Sequence, residues 1–263
     1  MIDLDLRSCE LCPRLCRVNR EEKPGACGCS ARLLAARAAL HFGEEPCISG
    51  TEGSGTVFFS GCNLHCVFCQ NHKISRERYG KELTAARLAD IFRELEEKGA
   101  NNINLVTPTP WVTEIIKALQ LYRPKVPVLY NTSGYERVEV LRELEGLIDV
   151  WLPDYKYADS ALAARFSGAA DYPAVARAAL QEMYRQSGNL TLNKEGKAVR
   201  GVMIRHLVLP LHLKNSFAVL DDIAALFGTE QYVSLMFQYT PFIRTRFPEL
   251  NRALTGRERA RAE

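Results

Sequence analysis

Three cysteines within eight residues are the strongest chemical signal in the sequence. Cys62, Cys66 and Cys69 lie in the segment SGCNLHCVFCQNH (60–72), directly after an apolar stretch. Thiolates bind iron and zinc well, and a Cys-x3-Cys-x2-Cys loop lets three sulfurs converge on one centre. A closed zinc site would need a fourth ligand, for which His65 and His72 are candidates. A four-iron cluster held by three cysteines instead leaves one iron open to a small molecule, which implies reactivity.

A second group of cysteines precedes the first. Its members are Cys9, Cys12, Cys16, Cys27 and Cys29. We expect a closed four-thiolate site that holds either structural zinc or a second iron-sulfur cluster. The preferred ligands are Cys9, Cys12, Cys16 and Cys27, with Cys29 as a spare or a substitute. The spacing differs from the bacterial ferredoxin pattern C-x2-C-x2-C-x3-C, which weakens the case for iron.

Composition bears on the compartment and on the class of partner. The 34 basic and 31 acidic residues are interspersed, so no nucleic-acid surface is predicted. The amino terminus has no apolar run for a signal peptide, and no stretch approaches the roughly 18 apolar residues of a membrane span. We therefore expect a cytoplasmic protein in which the nine cysteines serve as metal ligands or catalytic groups more than as disulfides. Cys47 stands apart and is expected to be a small buried apolar residue.

The elements after residue 50 alternate strand and helix patterns. Six apolar strands with helical periodicity between them predict an α/β protein, a partial (β/α)6 barrel of the TIM type. Functional residues then belong at the carboxyl ends of the strands. The strand patterns are GTVFFSG (55–61), NINLVT (102–107), VPVLYN (126–131), IDVWLP (148–153), GVMIRHLVL (201–209) and YVSLMFQY (232–239).

Three regions follow from these patterns. Residues 1–50 form a cysteine-rich metal or iron-sulfur segment with one Ala-rich helix at about 30–40, and residues 51–243 form the barrel. A helical region at about 158–187 is divided by a turn, and Ser216 caps a later helix. The basic tail, 244–263, is expected to be solvated or frayed.

The cysteine loop resembles a known signature. The motif C-x3-C-x-aromatic-C, formed by Cys62, Cys66, Phe68 and Cys69, resembles that of radical S-adenosylmethionine enzymes. Within that superfamily, CNLHCVFCQN is similar to the activases of glycyl radical enzymes, the pyruvate formate-lyase activating enzyme family. The wider phrases CPRLCRVNR, HFGEEPCISG, LVTPTP and IRHLVLP are similar to an activase-like subfamily, so the resemblance covers nearly the whole chain.

The resemblance implies two cofactors and a reaction. A 4Fe-4S cluster would be bound by the three cysteines, and S-adenosylmethionine would chelate its open iron. An electron from the cluster would cleave the sulfonium to methionine and a 5'-deoxyadenosyl radical, which removes a hydrogen from the substrate. The protein binds, orients and excludes water, because the cofactors carry the difficult chemistry. Phe68 would lay its backbone against the adenine.

Polar residues at the predicted strand ends are candidates for holding S-adenosylmethionine. Where many members have Gly-Gly-Glu, this chain has Thr107 and Thr109, which would supply hydroxyl acceptors; Thr109 is equally a candidate helix N-cap. The next strand ends in Asn131, Thr132 and Ser133, similar to the Asp-Thr-Asn-Gly of the activases.

The later strand ends carry the charged candidates. Asp154 and Lys156 are similar to the activase Leu-Asp-x-Lys segment, and a buried carboxylate there needs a partner; an ordinary surface pair is the alternative. Alternation allows only one of Arg205 and His206 to point into the barrel, and we expect Arg205 to face the cofactor while His206 packs. Gln238 stands where activases have a Pro-Tyr-His segment and is expected to replace the hydrogen bond of that histidine.

Three functions remain open from the sequence. The first is an activase that takes a hydrogen from a glycine of a partner glycyl radical enzyme, and the second is a radical enzyme acting on a small molecule or peptide. Both need an electron donor such as flavodoxin or ferredoxin. The third is a redox or zinc module in which neither cysteine group is catalytic.

Overall fold

Ten strands in residues 4–263, the part of the chain that the computed structural model describes, form the framework of the site. The strands are β1 (Leu33–His41), β2 (Ser54–Phe59), β3 (Lys81–Leu83), β4 (Ile103–Val106), β5 (Val128–Thr132), β6 (Val150–Pro153), β7 (Thr191–Leu192), β8 (Ala198–Val202), β9 (Ile204–Leu207) and β10 (Val233–Met236). The helices are α1 (Pro46–Ser49), α2 (His72–Ser75), α3 (Ala85–Glu97), α4 (Val112–Leu121), α5 (Val138–Arg142), α6 (Ser160–Ser167), α7 (Tyr172–Ser187), α8 (Leu213–Phe227) and α9 (Gly256–Ala262). Short 3-10 helices span Leu6–Ser8, Thr109–Trp111 and Pro248–Asn251.

Six of the strands run parallel in barrel order. Strands β2, β4, β5 and β6 are parallel neighbours, and β9 and β10 form a second parallel pair. A bridge between Asp154 and Arg205 joins the end of β6 to β9, so the two sheets are continuous at that point. The predicted α/β class and partial barrel are therefore confirmed, with the carboxyl ends of the six strands at one edge.

Helices cover this barrel through the apolar faces that the sequence predicts. In α3, Thr84 caps the helix by accepting a hydrogen bond from the Arg87 amide, and the buried face comprises Leu88, Ala89, Ile91, Phe92 and Leu95. The long helical region divides into α6 and α7 around Gly168, as expected from the turn residues. In residues 4–263 no helix is long and apolar enough to cross a membrane.

The Ala-rich segment at about 30–40 is a strand, not the predicted helix. It is β1, which pairs antiparallel with β2 on one side and with β3 on the other. Alanine favours helix in isolation, but here the free edge of β2 offers a ladder of backbone partners, and this tertiary pairing overrides the propensity. The amino-terminal region is thereby built into the main sheet.

The predicted Ser216 cap is wrong, and the basic tail, although mostly exposed as expected, contains a helix. Ser216 lies inside α8, which begins at Leu213, and its hydroxyl pairs with the ring of His206 instead of capping the helix. The tail is not frayed throughout, because α9 begins with a capping box in which Thr255 and Glu258 satisfy each other's backbone amides. Cys47 is half-buried and packs against an apolar cluster around Ile48.

Candidate active site

The cysteine loop follows β2 and is fixed at both ends by arginines. Arg14 donates hydrogen bonds to the carbonyl oxygens of Asn63 at 2.9 Å and Leu64 at 3.2 Å. From the other side, Arg76 donates to the carbonyls of His65 at 2.7 Å and Cys66 at 2.9 Å. Charged donors on four consecutive carbonyls hold the loop in one shape, so the three thiols have defined positions.

Each thiol of the loop receives a hydrogen-bond donor. The Leu64 amide donates to Cys62 Sγ at 3.4 Å, Ser167 Oγ to Cys66 Sγ at 3.2 Å, and Ser75 Oγ to Cys69 Sγ at 3.3 Å. Burial raises the pKa of Cys62 to about 12, so the free thiol is neutral until a bound cation stabilises the thiolate. Three sulfurs with donors beside them have the chemistry of iron-sulfur ligands.

The two histidines proposed as a fourth ligand are not held toward these thiols. The ring of His65 is engaged at 2.8 Å with the carbonyl of Ala26, and His72 begins α2 with its Nδ1 buried and unpaired. In residues 4–263 no three His, Cys, Asp or Glu side chains are arranged to hold a metal ion as they stand. The assignment of an iron-sulfur cluster to Cys62, Cys66 and Cys69 therefore depends on the chemistry of these donors and on the family of the protein.

A partly open cavity of about 780 Å³ joins the cysteine loop to the strand ends. This volume lies in the range of small-molecule and cofactor sites. The predicted site residues on its wall are Cys62, Cys66, Phe68, Cys69, Thr107, Asn131, Thr132, Ser133, Asp154, Lys156, Arg205 and Gln238. Residues separated by more than 170 positions in the sequence thus share one concave surface.

A buried charge network occupies the strand ends of this cavity. Lys156 Nζ donates to Asp154 Oδ2 at 2.6 Å, and Arg205 Nε donates to Asp154 Oδ1 at 3.0 Å. Burial alone would raise the pKa of Asp154, but the two cations hold it below its ordinary value. The ordinary surface pair considered from the sequence is excluded, because both side chains of the Asp154–Lys156 pair are only 16% exposed.

The choice between Arg205 and His206 is resolved as alternation predicts. Arg205 faces the cavity and also donates to Asn131 Oδ1 at 2.6 Å. His206 is fully buried between the Tyr155 carbonyl at 2.7 Å and Ser216 Oγ at 2.9 Å, and burial lowers its pKa to about 4. It is therefore a neutral packing histidine at neutral pH.

Phe68 and Gln238 border the cavity in different ways. The Phe68 ring is buried and packs edge-on against Phe166 and Tyr239, with ring centroids 6.4 Å and 6.1 Å away. Its position is thus set by aromatic packing. Gln238, just beyond β10, is exposed on the cavity wall.

Thr109 is the one residue predicted to hold S-adenosylmethionine that lies outside this cavity. It is 1% exposed, begins a 3-10 helix after the cap residue Pro108, and donates its hydroxyl to Glu136 Oε1 at 2.5 Å. Thr132 donates to the same carboxylate oxygen. Thr109 thus helps to hold Glu136, the carboxylate to which the cavity residue Thr132 is also bonded. It neither caps a helix nor lines the cavity.

Replacing Glu136 with glutamine is expected to raise stability at high pH only. Burial raises the pKa of this carboxyl to about 7, although the hydrogen bonds from Thr109 and Thr132 lower it. The folded state therefore binds the proton more tightly than the unfolded chain, so the associated stability is complete below about pH 4.5 and is lost as pH rises through about 7.

In urea titrations, Glu136→Gln should exceed the wild-type free energy of unfolding by about 1–3 kcal/mol at pH 8.5 and match it near pH 5. Glu139→Gln, at an exposed position of α5, is the control and should show no such pH dependence. An equal difference at both pH values for Glu136→Gln would contradict the raised pKa.

Replacing Gly134 with alanine is expected to destabilise the fold by more than about 2 kcal/mol. Gly134 has a φ of +76°, and a Cβ there would lie 2.3 Å from the carbonyl oxygen of Asp154. Gly146→Ala is the matched control, because its φ is +78° but nothing lies within 4 Å of the added Cβ. The control should lose only about 1 kcal/mol in thermal unfolding, from the left-handed backbone alone; equal losses would show that the close approach is relieved cheaply.

Glu44 is a cavity residue that the sequence analysis missed. It lies just after β1, contacts Arg205 Nη1 at 3.3 Å through Oε2, and accepts a hydrogen bond from Asn104 at 3.2 Å through Oε1. Burial raises its pKa. The adjacent glutamates of the segment HFGEEP could have indicated a charged site. Their place in the barrel depends, however, on residues 33–41 forming a strand.

The amino-terminal cysteines form a separate group beneath the loop. Cys9, Cys12, Cys16 and Cys27 line one small cavity, and Cys29 lies outside its lining. The Cys29 thiol instead lies 3.6 Å from the carbonyl of Ser60, at the entrance to the catalytic loop. The structure thus gathers the four preferred cysteines around one cavity, and Cys29 lies against Cys27 without lining that cavity.

Comparison with known proteins identifies the family. Residues 56–179 match the Radical SAM superfamily. The uncharacterized protein MJ0674 of Methanocaldococcus jannaschii is 31% identical in an alignment of 262 positions that covers 96% of this chain and 72% of that protein.

One solved structure shares the fold. The structure titled native anSMEcpe with bound AdoMet superposes with a TM-score of 0.52 at 12% identity, over 77% of this chain and 55% of that one. A radical SAM methyltransferase from Sphaerobacter thermophilus gives 0.47 at 15% identity, over 80% of this chain and 63% of that one. The chain thus spans a little over half the length of the first of these structures.

The superfamily implies an enzyme that uses a 4Fe-4S cluster and S-adenosylmethionine. The donors on three thiols and the adjoining cavity fit those groups. Residues 56–179 thus form a Radical SAM superfamily domain, and the chain belongs to one family with MJ0674.

Proposed function

We propose that this protein cleaves S-adenosylmethionine reductively at a cluster bound by Cys62, Cys66 and Cys69, and uses the 5'-deoxyadenosyl radical to abstract a hydrogen from a substrate. The observation that carries the proposal is the single cavity shared by these thiols and the charged strand ends. When bound, the cluster supplies the electron for the cleavage. The chain must hold the cofactor's methionine and adenosine parts beside it.

The charged residues of the cavity wall determine where the methionine carboxylate of S-adenosylmethionine binds. Lys156 and Arg205 are both buried against Asp154, and the second carboxylate of the network, Glu44, has its pKa raised by burial. Both cations line the cavity wall. An incoming carboxylate is then attracted to Lys156 and Arg205 in a site where solvent screens little.

The other wall residues are suited to the nucleoside. Asn131, Thr132 and Ser133 at the end of β5 offer amide and hydroxyl groups, and Ser133 Oγ is buried with no partner among the described residues. Phe68, held by its ring, presents backbone for an adenine edge. Gln238 and Thr107 complete the polar wall.

The substrate we propose is a glycine residue in a loop of a partner glycyl radical enzyme, with flavodoxin or ferredoxin as electron donor. The activase-like segment CNLHCVFCQN supports this choice, and a partly open cavity leaves access for a loop. A small molecule or peptide as the hydrogen donor is the alternative, and it shares every step up to hydrogen abstraction.

Anaerobic reconstitution tests the proposal in two stages. Purified protein with iron, sulfide, reductant and S-adenosylmethionine should form 5'-deoxyadenosine, and an intact cluster that leaves S-adenosylmethionine uncleaved would refute the radical chemistry. Adding a glycyl radical enzyme with α-deuterated glycine should then transfer deuterium to 5'-deoxyadenosine and give a glycyl radical signal by electron paramagnetic resonance. Cleavage without deuterium transfer from any such partner would favour the small-molecule or peptide alternative.

A further inference from the structure

Four thiols meet at a cavity that the proposed reaction does not use. Cys9, Cys12, Cys16 and Cys27 border an internal space of about 10 Å³, which is the size of a single water site. Asn63 borders the same space, and its Oδ1 is buried without a hydrogen-bond partner in the described chain. Four cysteines that border one small space supply the donor types of a closed thiolate metal site.

Two tight loops present these cysteines. In the first, the Cys9 amide donates to the Val18 carbonyl at 3.0 Å, and the Arg17 amide donates to the Cys9 carbonyl at 3.0 Å. These two hydrogen bonds close the loop between Cys9 and Val18. In the second, the Gly25 amide donates to the Cys29 carbonyl at 2.9 Å and brings Cys27 to the cavity. Backbone loops of this kind, which lack an apolar core of their own, are a common setting for structural metal sites.

A buried positive charge beside the thiols supports the same conclusion. Arg20 is 1% exposed, and its Nη1 lies 4.0 Å from Cys9 Sγ. Its other partners are the carbonyls of Ser30 and Pro110 and the ring of Trp111. Across residues 4–263 no carboxylate forms an ion pair with it. A buried guanidinium without an anion is costly, and a four-thiolate metal centre, which carries net negative charge, would compensate it.

We propose that Cys9, Cys12, Cys16 and Cys27 bind a second, four-thiolate metal centre, occupied by either one zinc ion or one iron-sulfur cluster. As they stand, these thiols are not arranged to coordinate a metal, so binding must draw them together. Cys29 is left out of this ligand set because it lies outside the cavity lining, although its thiol is in contact with Cys27.

The centre also positions the catalytic loop. Arg14, two residues after Cys12, donates to the carbonyls of Asn63 and Leu64 and, from the same guanidinium, to Ser167 and Gly168. On the other side, the carbonyl of Ala26, adjacent to Cys27, contacts the ring of His65 at 2.8 Å. Loss of the metal would free the segments that carry Arg14 and Ala26, and would thereby weaken both contacts with the loop.

The test counts metal in a chain that lacks the first cluster. The full-length variant Cys62→Ala/Cys66→Ala/Cys69→Ala is reconstituted anaerobically, in one arm with zinc alone and in the other with iron and sulfide. We expect about one zinc per chain in the first arm or one absorbing cluster in the second. Metal is quantified by mass spectrometry, the cluster by its visible absorbance, and folding by circular dichroism.

A second set of variants identifies the ligands. On the same background, Cys12→Ser or Cys16→Ser should reduce bound metal at least about tenfold, whereas Cys29→Ser and the distant control Cys47→Ser should retain it. The proposal is wrong if the folded triple variant binds neither zinc nor a cluster, or if it retains its metal after Cys12→Ser and Cys16→Ser together. Neither outcome depends on cleavage of S-adenosylmethionine, so this test and that of the proposed function can fail separately.

Discussion

Cys66→Ala is expected to abolish cleavage of S-adenosylmethionine, lowering the rate of 5'-deoxyadenosine formation by roughly 1,000-fold or more, to the uncatalysed background. Cys66 is the most deeply placed of the three thiols, 8% exposed, and it receives a hydrogen bond from Ser167 Oγ. Two remaining thiols cannot hold a cluster that needs three protein ligands and one open iron. The loss is therefore of the reactive centre itself.

The measurement is 5'-deoxyadenosine by chromatography after anaerobic reconstitution, together with the iron content. Cys47→Ala is the matched control, because this half-buried cysteine lies in α1 and outside the cavity wall. It should retain iron and cleavage within about twofold of wild type, in keeping with a minor packing change. A Cys66→Ala protein that cleaves at the wild-type rate would remove the three-cysteine loop from the mechanism.

Asp154→Asn is expected to lower the free energy of unfolding by about 3–5 kcal/mol at pH 7, because it leaves Lys156 and Arg205 buried with little compensation. The substitution keeps the shape of the side chain and removes its charge. Asp90→Asn is the control, since its ion pair with Arg93 is about half exposed and is worth less than about 1 kcal/mol. Urea unfolding followed by circular dichroism compares the two.

The pH dependence supplies a further check on Asp154. Its pKa lies below the ordinary value, so the stability it contributes is fully present above the unfolded pKa of about 3.8 and is lost as pH falls through the lower folded value. The gap between wild type and Asp154→Asn should thus hold from neutral pH down to about 4 and narrow below it. A gap no larger than that of Asp90→Asn at pH 7 would mean that solvent reaches the network.

Periodicity along the chain was enough to predict the barrel and most of the cavity wall. Each βα unit carries its own local signal, and parallel strands bring their carboxyl ends to one edge whatever the loops do. For this reason Asn131, Asp154 and Arg205 could be predicted as neighbours from strand ends alone. Alternation within β9 was likewise enough to separate Arg205 from His206.

The errors lie where contacts distant in sequence decide the outcome. The Ala-rich β1 has the composition of a helix, and only the free edge of β2 makes it a strand. Glu44 reaches Arg205 across 161 residues of sequence, which no local pattern encodes. Thr109 was mistaken for a wall residue because the buried Glu136, its actual partner, comes from a different unit of the barrel.

The pairing of Glu44 with Arg205 has a consequence for how the chain is made. Arg205 is synthesised 161 residues after Glu44, so this ion pair cannot form until most of the protein has been made. Strand β1 can meet β2 early, but the interior of the barrel is neutralised only when β9 arrives. The last ion pair of the cavity wall therefore forms only after β9 has been synthesised, so the wall is completed late in the synthesis of the chain.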